Sequence, residues 1–276
     1  MTDNKKHAAA NVAAHVVLIA ASVMLVFPFV WMLSGAFKDP LEVVKMPPQL
    51  LPSHWNFDNF EKIEKFFPLD RFLFNSIAVA VATTVLQLLV CTMSAYVFAK
   101  IPFKGRGAIF LMFLATMMIP AQVTLVPLFI LFSKTDLIDT YAGLILPGIF
   151  SAYGTFLMRQ NILTIPNDLL EAAFMDGASY YRVFGSVIVP LVKPTLAALT
   201  IFAFMSSWNN FLWPLIAVNS QELMTLPIGL SKLQGKWSTE WNVLMAGNVV
   251  SFVPIFAVYL FAQRYFIKGM TMTGIK

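Results

Sequence analysis

Asp168, Glu171, Asp176 and Arg182 form a polar island, from about 166 to 194, between long apolar stretches. Charged groups in that setting mark a place where the chain meets water and, with it, a partner. The local signals there read as two short helices. Asn167 follows Pro166 and can cap the first, and Asp168 and Glu171 fall near its first turn, where the positive helix end favours carboxylates. Leu170, Ala173, Phe174 and Gly177 recur at helical spacing and make one apolar stripe that lipid alone cannot cover. Gly177 is placed to end this helix in a left-handed conformation. Ser179 can cap a second helix over 180–189, which Pro190 is expected to stop.

A second group with chemical potential lies further on. Trp208, Asn209, Asn210, Phe211, Leu212, Trp213 and Pro214 combine aromatic faces with amides, the side chains that stack on and hydrogen-bond to sugars. The same residues equally suit an interfacial aromatic belt with amides joining helices. No G-x-x-x-x-G-K-[ST] phosphate loop is present. His7, His15 and His54 are scattered without ligand spacing, so no metal site is expected, and the lone Cys91 excludes an intrachain disulfide.

These groups must be positioned by membrane helices. The chain is 58% hydrophobic and 12% charged, with a mean hydropathy of +0.74, far from the soluble balance. Its basic excess is not gathered into a basic aromatic face, which argues against nucleic acid and for membrane orientation. Apolar segments at about 15–37, 72–99, 108–132, 141–160, 195–218 and 242–266 predict an all-α integral membrane protein of six transmembrane helices. The first is too long for a signal-peptide core and reads as an uncleaved span. Pro120 and Pro127 should bend the third. Gly143, Gly148 and Gly154 suit the fourth to close packing, and Arg159 can snorkel at its end.

The organisation expected is a cytoplasmic tail over 1–14, a single transmembrane domain over 15–266 and a cytoplasmic tail over 267–276. Within the domain, 38–71 and 219–241 are external loops, with short helices around 59–67, and 161–194 is cytoplasmic. Lysines and arginines are denser in the short loops on the side of the N-terminus, including Lys100, Lys104, Arg106, Arg159 and Arg182, which puts both termini inside. No span carries a charged or histidine side chain at midplane, so an ion relay is not expected. A transporter of this kind draws its energy from another subunit.

Glu171-Ala172-Ala173, Asp176-Gly177-Ala178 and Val187-Ile188-Val189-Pro190 together resemble the EAA loop of bacterial ABC importer permeases, most closely the carbohydrate branch of maltose-permease type. The resemblance covers essentially the whole chain. It implies a cytoplasmic coupling helix pair between spans four and five that docks on an ATPase subunit. By that resemblance Glu171 meets a cation, Ala172 and Ala173 keep the helix slim, Gly177 makes the turn and Arg182 joins the contact. Asp176 either joins it or is a solvated helix-end carboxylate.

The implied partners are a sister permease, two cytoplasmic ATPase subunits that bind ATP and magnesium, an extracytoplasmic solute-binding protein and the lipid bilayer of a bacterial cell. The chain itself is expected to hold no cofactor. Trp208, Asn209, Asn210 and Trp213 become candidates for the translocation pathway. The external loop and the final KGMTMTGIK resemble segments that touch the binding protein and the ATPase pair. Sugars are favoured as cargo, since no cation lies in the spans to meet a phosphate. Glycerol-3-phosphate import on the same architecture, or a stand-alone secondary carrier, are the alternatives.

Overall fold

The computed structural model describes residues 2–235 and 239–272, with side chains over 11–235 and 239–263. Among the described residues the chain is helical, without a strand, the one extended feature being an isolated bridge between Gln234 and Thr239. Three helices are long and apolar enough to cross a bilayer, Asn11–Gly35, Leu69–Lys100 and Trp241–Gln263. Three helix pairs reach that length only together, and each is bent at a short break. These are Arg106–Met118 with Ala121–Lys134 (101°), Tyr141–Gly148 with Ala152–Leu163 (46°) and Tyr180–Leu191 with Lys193–Trp208 (83°). We label the helices α1 (Thr2–Gly35), α2 (Leu69–Lys100), α3 (Arg106–Met118), α4 (Ala121–Lys134), α5 (Tyr141–Gly148) and α6 (Ala152–Leu163). Then come α7 (Asn167–Met175), α8 (Tyr180–Leu191), α9 (Lys193–Trp208), α10 (Leu212–Ala217), α11 (Leu226–Lys232) and α12 (Trp241–Met272).

The chain forms two units, residues 1–68 with 230–252, and residues 69–229 with 253–276. In the first, α1 meets the start of α12 so closely that a Cβ on Gly35 would lie 2.0 Å from Met245 Sδ. The segment after α1 is held by buried polar groups. Asn59 donates to Ala36 O (3.0 Å) and Lys38 O (2.8 Å) and accepts from Asn242 Nδ2 (2.7 Å). Lys38, expected in a water-facing loop, is 1% exposed. Its ammonium donates to Gln49 O and lies 4.5 Å from the Trp31 ring centroid, which replaces part of the lost hydration. Short helices occur at Asp58–Lys62 and Ile63–Lys65, where the sequence places them.

The second unit is built around α2, which packs against α6 and α9. Small groups allow the approach. A Cβ on Gly154 would lie 3.0 Å from Cys91 Sγ and 3.1 Å from Leu199 Cδ1, and one on Gly148 would lie 2.5 Å from Thr83 Cγ2. Cys91 is buried there as a small apolar group whose thiol faces Ser151 O at 3.5 Å.

Pro120 bends the third apolar segment as expected, because Ile119 before it is forced extended (ψ 116). Four details differ from expectation. Pro127 sits inside α4 without ending it. The fifth apolar segment is not one helix. It stops at Trp208 and resumes at Leu212, since Pro214 has no N–H to continue the ladder through this point. Pro190 does not stop the helix before it, which runs to Leu191 through a π-helical stretch, Phe184–Ile188. Asn167 is the first residue of α7 rather than its cap, and no side chain caps that end.

Replacing Gly154 with valine places methyl groups where only tenths of an ångström are free. We expect a loss of about 1–3 kcal/mol, read as a lower melting temperature of the detergent-solubilised protein. Gly107→Ala, which meets nothing within 4 Å, is the neutral control.

Candidate functional site

The polar island folds as α7 and α8 joined by a tight turn whose backbone hydrogen bonds are complete. Ala178 N–H donates to Ala173 O (3.0 Å) and Gly177 N–H to Phe174 O (2.9 Å), with Gly177 at φ 80°. This pair of bonds is a Schellman motif, which satisfies the carbonyls at the end of α7. Ser179 Oγ then accepts from Arg182 N (3.4 Å) at the start of α8. Phe174 and Tyr180 rings meet edge-on across the turn, 5.0 Å between centroids.

One side of the pair is anchored on its own chain. Leu170, Val183, Ile188 and Val192 are buried in a cluster with Cys91, Ala95 and Met158. Lys100, at the end of α2, donates to Ile165 O (2.5 Å) and Asn167 Oδ1 (2.8 Å). Arg159 Nε donates to Phe98 O (3.1 Å), one of the last carbonyls of α2, and its guanidinium lies 4.2 Å from the Phe110 ring centroid. The apolar stripe is thus covered from within at Leu170 and Ala173, with Phe174 at its edge.

The other side faces outward. Glu171, Ala172, Asp176, Gly177 and Arg182 are exposed, while Ala173 is half-buried. Sequence reasoning missed two companions, Met175 and Tyr181, which are 87% and 79% exposed. Their signal was available, since Met175 follows Glu171 by four and Ala172 by three and so shares their face. Among the described residues Glu171 and Asp176 have no ion pair. This face carries carboxylates, a thioether and a phenol, and among the described residues it holds no nucleophile–base pair.

The second site is a cavity of about 410 Å³ where the broken helices meet. Thr83 and Gln87 of α2, Gln122 of α4, Ser206 and Ser207 of α9, and Asn210 line its polar part. Trp213 forms a wall, fixed by Nε1–H donation to Gly143 O (2.9 Å) and an edge contact with Phe132. Of the four expected pathway residues, Asn210 and Trp213 come together here. Trp208 is instead buried and stacked on Phe204 (5.6 Å), and Asn209 turns back to donate to Met205 O (2.9 Å). Among the described residues no acidic or basic side chain lines the cavity, and the buried Thr83 hydroxyl has no hydrogen-bond partner.

A polar clamp holds the segment after α10. Asp139 Oδ1 accepts from Ser220 N (3.0 Å), Ser220 Oγ (2.9 Å) and Asn219 N (3.1 Å), and its own N–H donates to Ala217 O (2.8 Å). Asn75 donates to Glu222 O and Met224 O (both 2.9 Å) and accepts from Tyr141 OH (2.6 Å). Arg71 reaches the Glu222 carboxylate at 3.5 Å, and Leu226 N–H donates to Ser76 Oγ (2.7 Å). The loop that follows includes 236–238, outside the described residues, as are 273–276 of the expected C-terminal tail.

The Ser220 backbone N–H, aided by that residue's hydroxyl and by Asn219 N–H, holds the Asp139 carboxyl below the usual carboxylate range. A lowered pKa means that its stabilisation is present above the ordinary carboxylate value and is lost as pH falls through the folded one. Asp139→Asn, which tolerates the left-handed φ of 58° at this position, should therefore cost about 1 kcal/mol at neutral pH. The gap in melting temperature between variant and wild type should close on acidification below about pH 4.

Comparison with known proteins places this geometry among transporters. Residues 87–272 match the family described as binding-protein-dependent transport system inner membrane component. Over 272 residues the chain is 38% identical to the arabinooligosaccharides transport system permease protein AraQ of Bacillus subtilis (strain 168), covering 96% of each. It is 34% identical over 278 residues to the sn-glycerol-3-phosphate transport system permease protein UgpE of Rhizobium meliloti (strain 1021), covering 98% of this chain and 99% of that one. A chain from the structure of a bacterial ABC transporter involved in the import of the acidic polysaccharide alginate is similar with a TM-score of 0.81 at 26% identity, covering 93% of this chain and 96% of that one. A chain from the alginate transporter in complex with its pentasaccharide-bound periplasmic protein is similar in fold, with a TM-score of 0.65 at 15% identity, covering 95% and 94%.

Proposed function

The chain belongs to the family of binding-protein-dependent transport system inner membrane components, and from that membership we propose that it forms, with a sister permease, the pathway of an ATP-driven importer for a neutral sugar or oligosaccharide. It is a multi-pass membrane subunit of a transporter, not an enzyme. On this reading the three long helices and three bent pairs make six spans, and both termini lie in the cytoplasm. ATP and magnesium are bound by two partner ATPase subunits, and an extracytoplasmic binding protein delivers the cargo.

The observation that carries the coupling role is the two-sided build of α7 and α8. Leu170 and Val183 root the pair in its own chain, while Glu171, Ala172 and Asp176 face away from it. A partner that pushes this outer face moves the anchored one, and with it α2, α6 and α9. Glu171 offers a charge to a cation of the ATPase, and Arg182 one to an anion. Ala172 lets the helix enter a cleft. Ala173 serves from behind, where its small size keeps α7 close to the core.

The chemistry of the cavity supports the cargo class. Amides and hydroxyls from Gln87, Gln122, Ser206 and Asn210, beside the Trp213 ring, suit the hydroxyls and apolar face of a sugar. A phosphate desolvated there would meet no cation. Glycerol-3-phosphate, named for UgpE, is therefore the second reading. It requires a charge from the sister permease or the binding protein.

Two experiments test this. A mild-detergent pull-down from native membranes should bring a second permease and an ATPase, with uptake of neutral oligosaccharide dependent on ATP. Isolation of the chain alone, with uptake following an ion gradient, points to a secondary carrier and ends the proposal. In the turn, a Cβ on Gly177 would meet nothing within 4 Å, so the cost of substitution lies in its positive φ. Gly177→Val should strain the turn by about 1–2 kcal/mol and abolish uptake with the protein still in the membrane, whereas Gly177→Asn should retain most uptake. Glu171→Lys should weaken ATPase co-purification.

A further inference from the structure

Away from the cavity and the coupling face, α9 and α12 enclose a groove of about 530 Å³ within the second unit. Leu196, Ala197, Val258, Phe261 and Ala262 make its walls. Thr200 adds only its methyl, because its hydroxyl already donates to Leu196 O (2.8 Å). Among the described residues the groove therefore offers hydrocarbon along its length and one charge, Lys193, at one end. Lys193 is exposed, and among the described residues it makes no ion pair.

Its position makes that charge unusual. Lys193 begins α9, directly after the 83° bend from α8. A cation in the first turn opposes the helix macrodipole, so it adds nothing to the stability of its own helix. The same end attracts anions. Phe261, 71% exposed, leaves the groove open on its outer side, the side from which lipid enters when no partner subunit covers it. A bound molecule must then be apolar over most of its length and negative at one end.

We infer that this groove is a binding site for an anionic phospholipid, with an acyl chain along Ala197, Val258 and Ala262 and the headgroup phosphate on Lys193. Anionic lipid is favoured over zwitterionic because the zwitterion brings its own cation to the phosphate and leaves Lys193 in competition with it. One lysine at an anionic membrane surface corresponds to about a fivefold preference. The site is independent of the cargo, and requires that the chain spans a membrane and that no partner subunit fills the groove.

The test uses the intact complex purified in mild detergent and incubated with dioleoylphosphatidylglycerol or dioleoylphosphatidylcholine, with retained lipid counted by native mass spectrometry. The expected result is about a fivefold excess of phosphatidylglycerol. This excess should disappear in Lys193→Gln and persist in Lys193→Arg, while Ala197→Trp should lose one bound lipid of either kind. Equal retention by wild type and Lys193→Gln would overturn the assignment. So would a cysteine at position 197 that crosslinks in native membranes to the sister permease, because a protein helix would then fill the groove.

Discussion

In hydrocarbon an unpaired backbone N–H or C=O has no water to turn to, so a break in a membrane helix must be repaired by protein or must face a cavity. This chain interrupts three of its apolar segments and the end of α9 as well. Two of these breaks carry a side-chain repair: Ser151 Oγ accepts from Gly154 N at 3.0 Å and Asn210 Oδ1 from Trp213 N at 3.4 Å. At the start of α5, Thr140 Oγ1 likewise accepts from Gly143 N at 3.0 Å. Trp213 closes the remaining gap by donating to Gly143 O. The polar groups that repair the backbone and those that line the cavity are neighbours, because both are needed where regular helix stops.

The same economy governs the ends of the second unit. Carbonyls left over where α2 ends are taken by Arg159, and the start of α7 is tied to α2 by Lys100. At the opposite end of α2, Asn75 and Ser76 take up backbone groups of the segment 222–226. One helix thereby holds α7 and α8 at one end and the clamp at the other, with the cavity beside its middle at Thr83 and Gln87. A push on α7 and α8 has a physical route to the clamp through packed side chains. That route is a structural continuity; a coupling energy along it is a separate quantity.

Local chemistry was readable without a fold. Gly177, Ser179 and Pro120 act within a few residues of themselves, through a left-handed φ, a side-chain cap and a lost α conformation at the preceding residue. The apolar segments and the all-helical class follow from composition and length, because only helices satisfy their own backbone in lipid as single segments. The outward face of α7 was also latent in the spacing of Glu171, Ala172 and Met175.

What spacing could not supply was set by distant partners. Asn167 has the right type for a cap, yet Lys100, far away in sequence, takes its side-chain carbonyl. Lys38 reads as a loop cation and is buried because the Trp31 ring and Gln49 O surround it. Trp208 and Trp213 look equivalent in the sequence, but the break at 209–211 resets the helical register between them. One therefore stacks on Phe204 and the other walls the cavity. Sequence alone determined the helical class, the turn at Gly177 and the family pattern at Glu171–Gly177, since those depend on composition and near neighbours. Which polar side chains share the cavity was decided by the tertiary structure, since it depends on how tightly Gly148 and Gly154 let the helices approach.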